Sequence, residues 1–135
     1  MLITIESHIA DVRIKVKAMT LKDLFSDGIQ GLYAVMQPVK AGKNIRTDLS
    51  IHLNGADRTV LFIDFLNDVL SNSLINRCVY NTFVTFRYND LYLEAALSGQ
   101  KVRSFSTEVK AVTFHEAEIL ESASGMLQTT FILDI

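Results

Sequence analysis

Met126-Leu127-Gln128-Thr129-Thr130-Phe131-Ile132-Leu133-Asp134-Ile135 reads as a core strand that runs to the last residue of the sequence. The last side chain but one is a carboxylate, and the α-carboxylate of Ile135 follows it. At an effective dielectric of 20, two unit charges about 4 Å apart repel by roughly 4 kcal/mol. Either solvent carries this acidic end, or something positive meets it, and a hard cation with oxygen ligands is one such partner.

A second alternating strand lies near the other terminus. In Asp11-Val12-Arg13-Ile14-Lys15-Val16-Lys17, the apolar Val12, Ile14 and Val16 point one way and the charged residues the other. If the first and last strands lie side by side, Asp11, Asp134 and the Ile135 carboxylate converge as three oxygen donors. Such a set suits a hard divalent ion and not Zn²⁺, which prefers His and Cys. The competing reading is an acidic cluster neutralised by Lys110 or Arg13 with no metal.

Between these strands the chain reads as α+β. Thr20 caps a helix, with Asp23 three residues later, and Leu21, Leu24, Phe25, Ile29, Leu32, Tyr33 and Met36 share one stripe. Pro38 ends it. A short strand over Leu49 to Leu53 closes at Asn54-Gly55. A second helix is predicted from Asp57 to about Asn72, apolar over more than half its circumference. Strands follow at 79–87, 91–97, 108–114, 115–120 and 126–134, with turns at Asn89-Asp90 and Ser124-Gly125. The segment from Pro38 to Asn44 and the stretch near Gln100 read as loops. Two helices against a mostly antiparallel sheet is the expected architecture.

Three elements taken together resemble the archease family: His8-Ile9-Ala10-Asp11, the stretch Glu108-Val109-Lys110-Ala111-Val112-Thr113-Phe114-His115, and the Leu133-Asp134-Ile135 ending. The likeness continues through Thr20-Leu21-Lys22-Asp23-Leu24-Phe25 in the first helix and Leu61 to Leu70 in the second, and Gly99 also falls in a matching place. Four departures stand out. Ser7 replaces an acidic residue, Ile9 a threonine, Phe65 a tryptophan and Ala18 a common turn glycine.

The resemblance implies a fold with a strand-helix-strand-strand (SHS2-like) module. It implies a metal site at Asp11, Asp134 and Ile135, with Ca²⁺ as the ion and Mg²⁺ or Mn²⁺ as the other hard ions such donors accept. His8, Lys110 and His115 are the residues expected to orient or neutralise that site. Archeases assist RtcB-type RNA ligases, including the tRNA-splicing ligase. The implied role is therefore a non-catalytic cofactor that promotes guanylylation of the ligase and multiple turnover. Two rival classes are a metal-dependent phosphoesterase and a binding or assembly module unrelated to any ligase.

Composition fits one domain over residues 1–135. Of those 135 residues, 49% are hydrophobic and 21% charged, and a chain this long buries roughly two-thirds of its unfolded surface. The net charge is −2, so a surface-wide nucleic-acid footprint is not expected. The local runs Arg13, Lys15, Lys17 and Lys40, Lys43, Arg46 read as solvated edges. Cys78 is the one cysteine, which precludes an intrachain disulfide. No cationic and apolar leader is apparent and no apolar run approaches the ~20 residues of a membrane span, so a cytoplasmic protein is expected. The sequence contains no phosphate-binding glycine loop, Gly-x-Ser-x-Gly, His-Glu-x-x-His or Cys-x-x-Cys, and so offers no support for an enzyme.

Overall fold

The protein, represented by a computed structural model, is described for residues 11–89, 91–113 and 118–135. His8, the His115 strand start and Asp90 of the Asn89-Asp90 turn lie outside these residues. Among the described residues the order is β1 (Asp11–Ala18), α1 (Leu21–Met36), β2 (Pro38–Lys40), β3 (Arg46–Asn54), α2 (Arg58–Asn76), β4 (Cys78–Asn89), β5 (Tyr92–Phe105), β6 (Ala111–Thr113), β7 (Leu120–Glu121) and β8 (Leu127–Asp134). The class is α+β, as expected.

The strands form two antiparallel sheets. In the first, β8 pairs with β1, β6 and β7. In the second, β5 pairs with β3, β4 and β2. Both helices touch both sheets, α1 through β1, β8 and β4, and α2 through β3, β4, β5 and β6. The core is therefore one continuous layer of side chains between helices and sheets.

Local chemistry accounts for the helix ends. The Asp23 N–H donates to Thr20 Oγ1 at 3.1 Å, and the N–H groups of Thr59 and Val60 donate to Asp57 Oδ1 at 2.9 and 3.0 Å. Each bond satisfies a donor that the first helical turn leaves unpaired. Gln37 takes a left-handed conformation and returns its N–H to the Tyr33 carbonyl before Pro38 stops the helix.

Aromatic rings connect the layers. Phe25 meets Phe62 and Phe65 at centroid distances of 5.1 and 5.3 Å. Phe86 and Phe83 of β4 join it on one side, and Phe131 of β8 joins Phe62 on the other. Such pairs contribute about 0.5–1.5 kcal/mol each beyond their area burial. Phe65 is fully buried in this cluster, so the smaller ring at that position still fills its place. At Gly31 a Cβ would stand 2.7 Å from Ile14 Cγ2, which is why α1 can rest directly on β1.

Several segments differ from the sequence reading, among them the strand expected over 108–114, where residues 108–110 belong to no strand and β6 starts at Ala111. The second helix continues past Asn72 to Asn76 because its polar last turn has tertiary partners. Ser73 is buried against Tyr33, and the Asn76 side chain donates to the Tyr80 hydroxyl at 3.0 Å. The stretch near Gln100 is no loop, because β5 runs on to Phe105 with both its flanks paired. Arg46 lies opposite Gln100, Cys78 opposite Lys101, and Pro38 opposite Phe105. For the same reason Pro38 to Lys40, expected as loop, is a strand. Gly99 permits this crowding, since a Cβ there would collide with the Val79 carbonyl beside a bulge in β4.

One buried polar node ties the two helices to the second sheet. The Tyr33 hydroxyl lies 2.7 Å from Ser73 Oγ and accepts the Tyr80 N–H at 2.8 Å. Burial pushes the Tyr33 phenol up to about 12, ahead of the opposing effect of its hydrogen bonds. It therefore stays neutral at any physiological pH. Tyr33→Phe orphans the Ser73 hydroxyl and the Tyr80 N–H, and the expected destabilisation is about 1–3 kcal/mol. The urea midpoint should fall accordingly with an unchanged m-value.

Candidate metal centre

Strand β1 pairs with β8 over its whole length, from Asp11 opposite Asp134 to Ala18 opposite Leu127. Residues directly opposite in an antiparallel pair project from the same face, with Cβ atoms about 4.5–5.5 Å apart. The core face carries Val12, Ile14, Val16 and Ala18 against Leu133, Phe131, Thr129 and Leu127. The outer face carries Asp11, Arg13, Lys15 and Lys17 against Asp134, Ile132, Thr130 and Gln128. Asp11 is exposed and Asp134 half-buried. The two carboxylates predicted from sequence are thus neighbours on one face, at the end of the sheet.

Strand β6 fixes the other side of β8. Ala111 lies opposite Asp134, and the Lys110 N–H donates to the Asp134 carbonyl at 2.7 Å. The Lys110 side chain is exposed. The contact that ties Lys110 to Asp134 is thus through the backbone, with its ammonium free to balance charge from solvent. His8 and His115 lie outside the described residues. Ile135 follows the end of β8 and is half-buried.

Sequence reasoning missed Asn67. Its side-chain amide donates to the Val112 carbonyl and accepts the Val112 N–H, both at 2.8 Å. The amide thus acts as a one-residue strand that docks α2 onto β6, and through β6 it sets the position of the Asp134 backbone. The signal was a single amide between the apolar pairs Phe65-Leu66 and Val69-Leu70.

Like charges directly opposite each other destabilise a strand pair, and a cation between them removes that cost. Asp11 and Asp134 are hard oxygen donors within reach of a single ion at the 2.3–2.6 Å distances that Ca²⁺ takes. Among the described residues no third His, Cys, Asp or Glu joins them. An ion held here would complete its shell from waters, backbone carbonyls or the Ile135 carboxylate. That donor set fits Ca²⁺ or Mg²⁺ and does not fit Zn²⁺.

Elsewhere, His52 is exposed on the outer face of β3. Its Nδ1 lies 3.3 Å from the Tyr92 hydroxyl, which donates to Glu94 at 3.0 Å. Among the described helices none is long and apolar enough to cross a membrane.

Comparison with known proteins gives one answer. The model of the archease protein family matches residues 4–135. Protein archease of Saccharolobus islandicus is 28% identical over 133 residues, covering 95% of this chain and 94% of that protein. Protein archease of Methanosarcina acetivorans is 25% identical over 127 residues, covering 87% and 86%. Among solved structures, an archease and possible chaperone from Thermotoga maritima superposes with a TM-score of 0.71 at 19% identity, covering 100% of this chain and 98% of that one. The solution structure of Methanobacterium thermoautotrophicum protein 1598 does so with a TM-score of 0.68 at 25% identity, covering 93% of each.

A second acidic pair, Asp64 and Asp68 one turn apart on α2, is half-buried. Desolvation, and then the Asp64 charge, raise the Asp68 carboxyl above its ordinary range. Between the ordinary and the raised value the folded state holds more protons than the unfolded one. Stability therefore falls as pH rises through that window. Asp68→Asn should raise the thermal midpoint near pH 7, and the gain should vanish below pH 4. Melting curves of both proteins across that range check the sign.

Proposed function

Since this chain belongs to the archease family, we propose that it is a non-catalytic cofactor of an RtcB-type RNA ligase in tRNA splicing or RNA repair. It would promote guanylylation of the ligase, and hence multiple turnover, by presenting a divalent ion. The observation that carries the reading is the register that sets Asp11 opposite Asp134, in a chain matched by the family model over residues 4–135. Asp11 and Asp134 would hold the ion, with the Ile135 carboxylate as a further donor. When bound, the ion supplies positive charge for phosphate oxygens at the partner's site. The residues of this chain do the holding and aiming. Strand β6 and Asn67 fix the Asp134 backbone, β1 carries Asp11, and the Lys110 ammonium balances charge. Ca²⁺ is the ion the family resemblance implies, and two carboxylates with a shell completed by waters also accept Mg²⁺ or Mn²⁺. The cytoplasm is the compartment this role requires.

The deciding assay is multiple-turnover RNA ligation by an RtcB-type ligase with GTP, with and without this protein. Wild type should restore turnover, and Asp11→Ala should lower the stimulation at least tenfold. In the absence of ligase the RNA should stay intact; cleavage by the protein with Mn²⁺ would favour a phosphoesterase. Calcium at 100 times its dissociation constant should stabilise the wild type by about 2.7 kcal/mol, an upward shift of ~10 °C. Asp11→Ala should lose that shift while melting normally without metal. A tail appended after Ile135 should impair stimulation more than an N-terminal tag; equal activity of the two would remove the Ile135 carboxylate from the site.

A further inference from the structure

Two adjoining clefts open along the rim where β2, the loop after it, β4 and β5 meet. The larger, about 550 Å³, is lined by Lys40, Lys43 and Lys101 with the amides of Asn44, Asn81 and Gln100. The smaller, about 350 Å³, shares those three amides and adds Arg46. Four of the chain's 13 Lys and Arg line this groove, and among the described residues no Asp or Glu does. From sequence, Lys40, Lys43 and Arg46 were solvated loop residues. The fold adds Lys101 to them, because β5 continues past Gly99 and its Lys101 N–H bonds the Ile45 carbonyl at 2.9 Å.

The cations are little used by the fold. Lys101 Nζ donates to the Asn76 carbonyl at 3.4 Å. Arg46 Nε meets Asp48 at 3.4 Å with both side chains about 70% exposed, an exposed pair worth little. A concavity that gathers positive charge and amide groups in a molecule of net charge −2 selects an anionic ligand carrying hydrogen-bond acceptors. Among the described residues no aromatic ring lines either cleft, so they offer bases no stacking platform here. The two clefts share a boundary, which gives the groove the length of a strand rather than of a single ion. A bilayer presents its headgroups as a plane, which matches a concavity poorly.

We propose that this groove binds the phosphodiester backbone of a single-stranded nucleic acid without reading its bases. Lys40, Lys43 and Lys101 meet phosphates, Arg46 extends the contact, and Asn44, Asn81 and Gln100 hydrogen-bond the sugar-phosphate chain. The site is separate from Asp11 and Asp134 and needs no metal.

Fluorescence anisotropy of a labelled 12-nucleotide oligouridylate, in EDTA, tests it independently of the metal and ligase reading. Binding at 50 mM NaCl is expected with a Kd between about 1 and 100 μM. Three to four phosphate contacts should weaken it by roughly 20- to 50-fold at 200 mM, from a slope of about −0.7 per phosphate. Oligoadenylate should bind within about threefold of oligouridylate, since nothing stacks on the bases. Lys43→Glu with Lys101→Glu should lower affinity more than tenfold, whereas Lys22→Glu on α1 should not. Lys43→Arg with Lys101→Arg should retain binding. Should the double reversal fail to fold, Lys40→Ala with Lys43→Ala, both at exposed positions, should show the same direction of loss. The proposal is overturned by absent binding at 50 mM salt, by binding that the cleft variants leave unchanged, or by capture on anionic phosphatidylserine vesicles alone.

Discussion

The register between β1 and β8 is the constraint on which the fold and the acidic site both depend. Side chains alternate with a period of two, so a slip of one residue would turn Val12, Ile14 and Val16 to solvent and drive Arg13, Lys15 and Lys17 into the core. The same slip would part Asp11 from Asp134. Hydrophobic burial of the four core-facing pairs, Val12/Leu133, Ile14/Phe131, Val16/Thr129 and Ala18/Leu127, thus enforces a juxtaposition of two carboxylates that electrostatics alone would oppose. The repulsive pair needs no stabilisation of its own, because the apolar row behind it holds it in place.

The other side of β8 is set by a different interaction. The bidentate Asn67 amide replaces a missing strand partner for Val112 and joins α2 to β6. A further polar node, Tyr33 with Ser73 and Tyr80, joins both helices to β4. Both are buried or half-buried hydrogen-bonded groups, which are costly when left unpaired and so specify one arrangement of otherwise interchangeable apolar layers. Between them the phenylalanine cluster from Phe83 to Phe131 supplies bulk contact without directional demand.

Strand β5 organises the second sheet as β8 does the first. It bends closely beneath β4, with Gly99 under the Val79 carbonyl, and its last residues pair with β2. That length carries Lys101 to the rim beside Lys40 and Lys43. The two ends of the molecule's chemistry are therefore of opposite sign, an acidic sheet end on β1 and β8 and a basic groove on β2, β4 and β5.

The α+β class, the capped start of α1, the alternation of β1, the β-prone run that becomes β8 and the positions of the two aspartates were legible in the sequence. Each is written in local periodicity or in a side chain bonding its own backbone neighbours, and such signals survive without tertiary context. The last turn of α2, the length of β5 and the strand at Pro38 were not. Ser73 and Asn76 are poor helix residues until Tyr33 and Tyr80 bond them, and Gly99 reads as a breaker until β4 presses on it. The pairing of Asp11 with Asp134 was an expectation that only long-range strand pairing could decide. Lys101 joining Lys40 and Lys43 was not foreseen at all, because residues some sixty positions apart become neighbours only through the sheet. The sequence by itself determined which faces are apolar and where the carboxylates sit along each strand. The tertiary structure decided which strands pair, and hence which charges face one another, because pairing is set by the burial of the whole core and not by any one segment.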